Sequence, residues 1–262
     1  MEIVDLSKET LGQYLVCLED WSEDLKEAGD RKETWYNRMK DRGLRVKMAV
    51  ENGRTLGMIQ YVPIEAAFAE GSDLYFIHCI WVHGHKGKGV GNVQKRGIGK
   101  ALLKAAEEDV RGMGKKGVAA WGVWLPFWMR ASWYKKQGYT KVDRDGMAVL
   151  LWKPFSRDAV PPRWIRMKKK PDQGEGRVRI TALCSGWCQA QNMTFERARR
   201  ASATFGGKVD FCGVDTSDRA TYLEWGIPDG LFIDGKSVVT GPPPTYKKIL
   251  KKIAKKVSKL KP

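Results

Sequence analysis

The run Gln94-Lys95-Arg96-Gly97-Ile98-Gly99-Lys100-Ala101-Leu102-Leu103 most narrows what this chain can become. Two glycines one residue apart follow a basic run, and a segment of helical apolar period, Lys100 to Val110, follows them at once. Ahead lies Tyr75–Val82, an apolar and aromatic run that reads as a strand. The order strand, loop, glycine turn, helix brings the first N–H groups of a helix to a strand end. Those groups lack intrahelical partners and carry positive partial charge, so the place suits an anion. A rival register, Lys86-Gly87-Lys88-Gly89-Val90-Gly91, has the same form. Asn92-Val93-Gln94 follows it rather than an apolar-periodic helix, so the Gly97/Gly99 register is preferred, with the earlier stretch as a glycine-rich lead-in.

Around this turn the pattern is mixed α/β. Ile3-Val4 reads as a short strand. Ser7 or Thr10 caps a helix carrying Leu11, Tyr14, Leu15 and Leu18. A polar helix is expected from about Trp21 to Arg42. Arg45–Glu51 and Thr55–Pro63 form a hairpin about Asn52-Gly53. After the turn, a helix over 95–113, a strand Gly117–Trp124, a helix near Phe127–Gln137 opened by Pro126, and strands Tyr139–Val142 and Met147–Trp152 complete a first domain, 1–155. Pro and Gly among basic residues make 156–177 a linker, with Trp164-Ile165 as its docking point. The second domain, 178–262, reads as strand Val178–Leu183, helix Gln189–Thr204, strand Lys208–Val214, short helix Asp218–Trp225, strands Leu231–Ile233 and Ser237–Thr240, and a helix from about Pro244 to Lys259.

Charge is uneven. The chain carries a net +17 over 262 residues; residues 1–160 hold 26 Lys/Arg against 21 Asp/Glu, and 161–262 hold 21 against 9. A basic excess of this size admits a nucleic acid, an anionic membrane surface or an acidic partner, as well as a plain solvated surface. The final helix concentrates it, with a stripe of Tyr246, Ile249, Leu250, Ile253, Val257 and Leu260 opposite lysines. No apolar run approaches the ~18 residues of a membrane span. With an acidic start that does not read as a signal peptide, a cytoplasmic protein is expected. Five cysteines do not read as a secreted disulfide framework, and His83-x-His85 lacks further ligands, so no metal is expected.

Residues 1–155 resemble the GNAT acyl-CoA N-acyltransferases. Gln94-Lys-Arg-Gly97-Ile-Gly99 fits that family's Gln/Arg-x-x-Gly-x-Gly/Ala signature, and Trp133-Tyr134-Lys-Lys-Gln-Gly138-Tyr139 fits its second segment in order and spacing. The resemblance implies a mixed twisted sheet with flanking helices. It also implies acetyl-CoA as donor, a small-molecule or protein amine as acceptor, and a strand 75–82 splayed from its neighbour. Main chain at Ile80, Trp81 and Val82 would then meet the pantetheine arm. Gln94, Lys95, Arg96, Gly97, Ile98, Gly99, Lys100 and Ala101 would meet the pyrophosphate. Tyr134 would protonate the leaving thiolate. The general base stays open among His78, Tyr75, Asp73, Glu70, Glu65 and a water relay.

Residues 178–260 resemble a thioredoxin-like, YoaP-like domain, on Cys184-Ser-Gly-Trp-Cys188 before a helix and Ile227-Pro228 before a strand. In thioredoxin-like proteins that proline is cis and lies against the active-site cysteine; the isomer of the Ile227–Pro228 bond stays open here. Gln191 stands where thioredoxins carry their second cysteine, so Cys184, Cys188 and Pro228 form a candidate thiol site without the Cys-x-x-Cys of a general reductase. The expected function is N-acetyl transfer from acetyl-CoA to an amine. Two alternatives are a thiol-redox or thiol-binding protein regulated by coenzyme A, and a non-catalytic module binding RNA or an acidic partner.

Overall fold

The computed structural model describes residues 1–125, 129–238 and 242–260. They fall into two compact units, one of residues 1–21 and 39–165, the other of 22–38 and 166–262.

The first unit begins with β1 (Glu2–Asp5) and α1 (Lys8–Leu15), which starts in a capping box of Ser7 and Thr10. The chain then leaves for α2 (Glu23–Lys26) and α3 (Arg31–Met39). It returns as β2 (Arg45–Glu51), β3 (Arg54–Pro63), β4 (Ala69–Glu70), β5 (Leu74–Val82), α4 (Ile98–Gly112), β6 (Gly117–Val123), α5 (Ala131–Lys135), β7 (Thr140–Asp145), β8 (Ala148–Pro154) and β9 (Arg163–Trp164). Seven strands form one sheet, ordered β1-β2-β3-β5-β6-β8-β7, in which only β5 and β6 are parallel. Asn52 and Gly53 both have positive φ, as a tight hairpin between β2 and β3 demands. β9 pairs with β4, and Trp164 stands edge-on to Phe76, which ties residues 163–165 to this unit.

α4 lays Leu102, Leu103, Ala106 and Val110, each at most 2% exposed, onto the sheet. Its far end is pinned to the strands. Arg45 gives Asp109 two hydrogen bonds (2.7 and 3.0 Å), and the Tyr61 hydroxyl gives a third (2.7 Å). These bonds hold the Asp109 carboxyl below the usual range against the opposing pull of its burial. The helix is shorter than the expected 95–113. Lys95 and Gly97 sit in the left-handed region, φ +66° and +82°, so helical geometry begins only at Ile98. The expected helix 127–137 is α5 alone; Pro126, Phe127 and Trp128 lie outside the described residues.

The second unit contains β10 (Val178–Cys184), α6 (Gln189–Ala203), β11 (Val209–Asp215), α7 (Arg219–Trp225), β12 (Gly230–Ile233), β13 (Lys236–Ser237) and α8 (Tyr246–Val257). Its sheet runs β11-β10-β12-β13, with β10 and β11 parallel and the other pairs antiparallel. Ile180 and Ala182 of β10 meet Phe195 and Ala198 of α6 and Ile249 and Ile253 of α8 on one face. Leu183, Trp225 and Phe232 cluster on the other. Residues 239–241, where the last expected strand was to end, lie outside the described residues.

The single helix expected over 21–42 is two, because Gly29 turns the chain at φ +65°. Its first and middle parts are built into the second unit by ion pairs. Arg197, its side chain 5% exposed, bonds Glu27 (2.8 Å) and the Pro244 carbonyl (3.2 Å). Arg31 bonds Glu196 (2.8 Å) and lies 3.9 Å over the Phe195 ring, and Arg38 reaches Asp215 and Ser217.

Glu27→Ala removes the nearer carboxylate of the buried Arg197 guanidinium and leaves it the exposed Asp24 at 3.5 Å. Breaking a fully buried pair costs ~3–5 kcal/mol; because Glu27 is 27% exposed, a loss of about 2 kcal/mol is expected in urea unfolding. The hydrogen bond from Arg197, ahead of the Coulombic and Arg200 contributions, holds the Glu27 carboxyl below its usual range. That contribution is therefore fully present above the unfolded value near ~4.3 and fades as pH falls through the lower folded value. The gap between the two proteins should close in acid.

Candidate active site

β5 is paired on both sides only at its start. Leu74–Ile77 lie parallel to Gly117–Ala120 of β6, and beyond Ile77 the β5 chain keeps only β3. β6 continues through Trp121–Val123 paired with β8, and Val123 also bridges Arg130 rather than β5. The two central strands therefore part. On the β3 side the register slips between Gln60/Cys79 and Tyr61/Ile77, which makes His78 the extra residue of a bulge. The Trp121 indole N–H donates to the His78 carbonyl across the opening (2.8 Å).

A cavity of about 600 Å³ lies in this opening. It is lined by Ile80, Trp81 and Val82 of β5, by Gln94, Lys95, Gly97, Ile98, Gly99 and Lys100 of the turn, and by Met129, Arg130, Trp133, Tyr134 and Gln137. The Gln94 amide donates to the Val82 carbonyl (3.2 Å), which fastens the turn to the strand end. Gly97 is the N-cap of α4, and no side chain caps the helix. The leading N–H groups of a 15-residue helix are thus left for whatever occupies the cavity. A Cβ on Gly99 would stand 3.5 Å from the Trp133 ring and 3.8 Å from Val82, both of which line the cavity.

Tyr134 is 1% exposed, and its hydroxyl has no hydrogen-bond partner. Burial pushes its ionisation far up, so the phenol keeps its proton through the neutral range. Trp133 and Tyr139 pack edge-on against its ring at 5.0 and 5.3 Å. The Trp81 indole N–H, on the other wall, is also buried without a partner.

Of the residues expected from sequence at this site, Arg96 and Ala101 do not line the cavity. The Arg96 guanidinium is committed to Glu51 (2.8 Å), and the Ala101 N–H bonds the Gly97 carbonyl in the first helical turn. The Lys86–Gly91 stretch is not part of the lining either. Its end is held by His83, whose Nδ1 meets the Gly91 carbonyl at 2.6 Å while Nε2 faces the Trp21 indole N–H at 3.4 Å. Met129 and Arg130 have no mark in the sequence reading, and Trp133 and Gln137 enter it only as members of the second motif segment, without a role. The spacing of Arg130, Trp133, Tyr134 and Gln137, three or four residues apart on one helical face, was the available signal.

None of the candidate bases lines the cavity. His78 is 1% exposed, ringed by Phe68 and Phe76 at 4.7 and 5.4 Å, and burial pushes it down to about 3, so it is neutral. Glu70 pairs with Arg163 (2.6 Å), Asp73 with Lys116 (3.7 Å), and Tyr75 packs on Tyr61. Among the described residues, no group of three or more His, Cys, Asp or Glu is placed to hold a metal ion, and no helix is long and apolar enough to cross a membrane.

The model of the acetyltransferase (GNAT) family matches residues 9–139, half of the chain. The chain belongs to the GNAT acetyltransferase family. Its activity is acyl-CoA-dependent transfer of an acetyl group to an amine. Solved structures similar to it include the PaiA N-acetyltransferase of Thermoplasma acidophilum in complex with coenzyme A, with 20% identity, TM-score 0.44, and 59% of this chain against 98% of that one. A GNAT acetyltransferase of Brucella melitensis in complex with acetyl-CoA matches with 16% identity, TM-score 0.43, and coverage of 61% and 91%. The aminoglycoside 6'-N-acetyltransferase of Enterococcus faecium matches with 14% identity, TM-score 0.42, and coverage of 59% and 97%. No curated protein sequence matches the chain.

In the second unit, Cys184 ends β10 and Cys188 is the N-cap of α6; both are free thiols. Cys184 is 3% exposed and donates to the Asn192 amide oxygen (3.1 Å), and burial pushes its thiol up to about 12. The Ile227–Pro228 bond, whose isomer the sequence leaves open, is trans. The Pro228 carbonyl accepts from the Thr216 hydroxyl. Asp229, not picked out from sequence, accepts from the Ser185 N–H and hydroxyl (2.8 and 2.9 Å), and burial pushes its carboxyl up to about 6.

A buried hydroxyl without a partner costs ~1–3 kcal/mol. Tyr134→Phe should therefore raise stability by about 1 kcal/mol in urea unfolding, the opposite of what an ordinary hydrogen-bonded core tyrosine would show.

Proposed function

We propose that the cleft between β5 and β6 seats acetyl-CoA, with its pyrophosphate on the turn from Gln94 to Lys100 and its acyl end beside Tyr134. The observation that carries this reading is one cavity reaching both an uncapped helix start and a buried hydroxyl without a partner. The donor supplies an acyl thioester; the rest of the chemistry belongs to the chain. Backbone N–H groups of Ile98, Gly99 and Lys100 bind phosphate oxygens, and glycine at 97 and 99 lets the backbone come close. The ammonium groups of Lys95 and Lys100 add counter-charge. The free edge of β5 at Ile80–Val82 offers main-chain groups to the amides of the pantetheine arm. Tyr134 holds its proton on Oη until sulfur leaves, and its neutral state at physiological pH is what a general acid requires.

The second unit follows the order strand, helix, parallel strand, helix, two antiparallel strands, helix. That order supports a thioredoxin-like domain in residues 178–260, with Cys188 at the start of its first helix. The buried, hydrogen-bonded Cys184 thiol favours a scaffold or recognition role over thiol exchange.

Gly99→Glu places a carboxylate where the phosphates go and should abolish acetyl-CoA binding in calorimetry, while Gly99→Ala folds normally. Unchanged affinity in the Glu variant would remove the turn from the donor site. Tyr134→Phe should keep donor affinity and lower turnover at least tenfold, within the ~10²–10⁴-fold a general acid supplies. Equal turnover would take Tyr134 out of the chemistry.

A further inference from the structure

α8 has an acid-free sequence, Tyr-Lys-Lys-Ile-Leu-Lys-Lys-Ile-Ala-Lys-Lys-Val, and Lys259 extends its basic side. Its apolar stripe is used up inside the second unit. Ile249 and Ile253 are fully buried, and Tyr246, Leu250, Val257 and Leu260 pack against the same core. The lysines are not spread evenly over what remains. Lys252, Lys255, Lys256 and Lys259 stand three or four residues apart on one face, and Lys236 of β13 faces them. Between them runs a groove of about 270 Å³, lined by Ile233, Ser237, Val238 and these five lysines. Among the described residues, the carboxylate paired with this set is Asp234, on Lys256 at 3.1 Å.

The five ammonium groups that line the groove, with one carboxylate beside them, repel one another most at low salt, where screening is weak. A ligand that relieves this must carry several negative charges in a row. We propose that this groove binds the phosphodiester backbone of a nucleic acid. The row from Lys252 to Lys259 covers about 10 Å of helix, which is about three nucleotide steps at the ~3.4 Å charge spacing of one strand. Among the described residues, the walls offer no aromatic ring for base stacking and no arginine fork for a base edge, so the contact reads charge and not sequence. An anionic bilayer fits less well. Amphipathic helices hold to a membrane by burying their apolar face in it, and the apolar face of α8 is already covered.

The test uses the full chain and a fluorescent 20-nucleotide single-stranded RNA of mixed sequence, titrated from low to physiological salt. The groove variant is Lys252→Gln/Lys255→Gln/Lys259→Gln, and the control on the same helix is Lys247→Gln/Lys248→Gln/Lys251→Gln. Glutamine matches lysine in helix propensity, and circular dichroism checks that each variant is folded. Wild type should bind with affinity falling steeply with salt. The groove variant should lose about 2 from the log–log slope, at ~0.7 per lost phosphate contact on a single strand, and the control should keep the wild-type slope to within about one contact. Absence of binding at low salt would overturn the proposal. So would equal losses in the two variants, which would mean diffuse charge, or tighter capture of phosphatidylserine vesicles than of RNA with the same loss in the groove variant. Acetyl transfer is not the readout, so failure here is distinct from failure of the donor site.

Discussion

The structure of the first unit depends on one interruption, the parting of β5 from β6 beyond Ile77 and Ala120. Backbone groups at a strand edge inside a protein are costly when left unpaired. The chain limits that cost with side chains. The Trp121 indole takes the His78 carbonyl, and the Gln94 amide takes the Val82 carbonyl. What stays open is the rest of the β6-facing edge at Ile80–Val82, and the cavity is there. The glycine turn lies at its outer end because β5 must hand the chain to α4. Tyr134 lines the same cavity because α5 packs beside β6. A sheet paired without a break would leave no place for either.

Burial changes the chemistry of what lines the opening. A phenol in water ionises near ~10, and burial without a partner pushes Tyr134 well above that. Such a group is poor at giving stability and good at keeping a proton. The Trp81 indole N–H shares the condition on the facing wall. Two buried donors without partners in one cavity are a local expense that the core does not require, since neighbouring buried groups such as Tyr14 and Gln60 satisfy each other (2.7 Å).

The sequence was readable where structure is local. The turn at Gly97, the Asn52-Gly53 hairpin and the α7 cap at Asp218 follow from residues adjacent in the chain. The boundary of α4 was misplaced by three residues, since a left-handed Lys95 has no mark in sequence. Arg96 reads as a phosphate ligand in the sequence, but Glu51, 45 residues away, holds it. The same is true of 22–38. It reads as part of a polar helix, and the partners of its charges, Arg197, Glu196 and Asp215, stand 165 to 177 residues downstream. Nothing in a local window records such pairs. Likewise, composition showed the basic excess but not that Lys252, Lys255 and Lys256 of α8, with Lys259 just beyond it, line one groove with Lys236.

The assignment of 22–38 to the second unit has a consequence in time. Glu27 leaves the ribosome 170 residues before Arg197. At ~5–20 residues per second, this segment waits about 10–30 s for the strands and helices it belongs to. Through that interval, Trp35 and a run of charged side chains remain outside any finished core, while the flanking α1 and β2 already have neighbours to pair with. The first unit therefore closes around a loop that is not yet folded, and the second cannot be completed from its own end of the chain alone. Contacts of such long range make folding slow and leave partly assembled chains exposed, so the order of synthesis is itself a constraint on this protein.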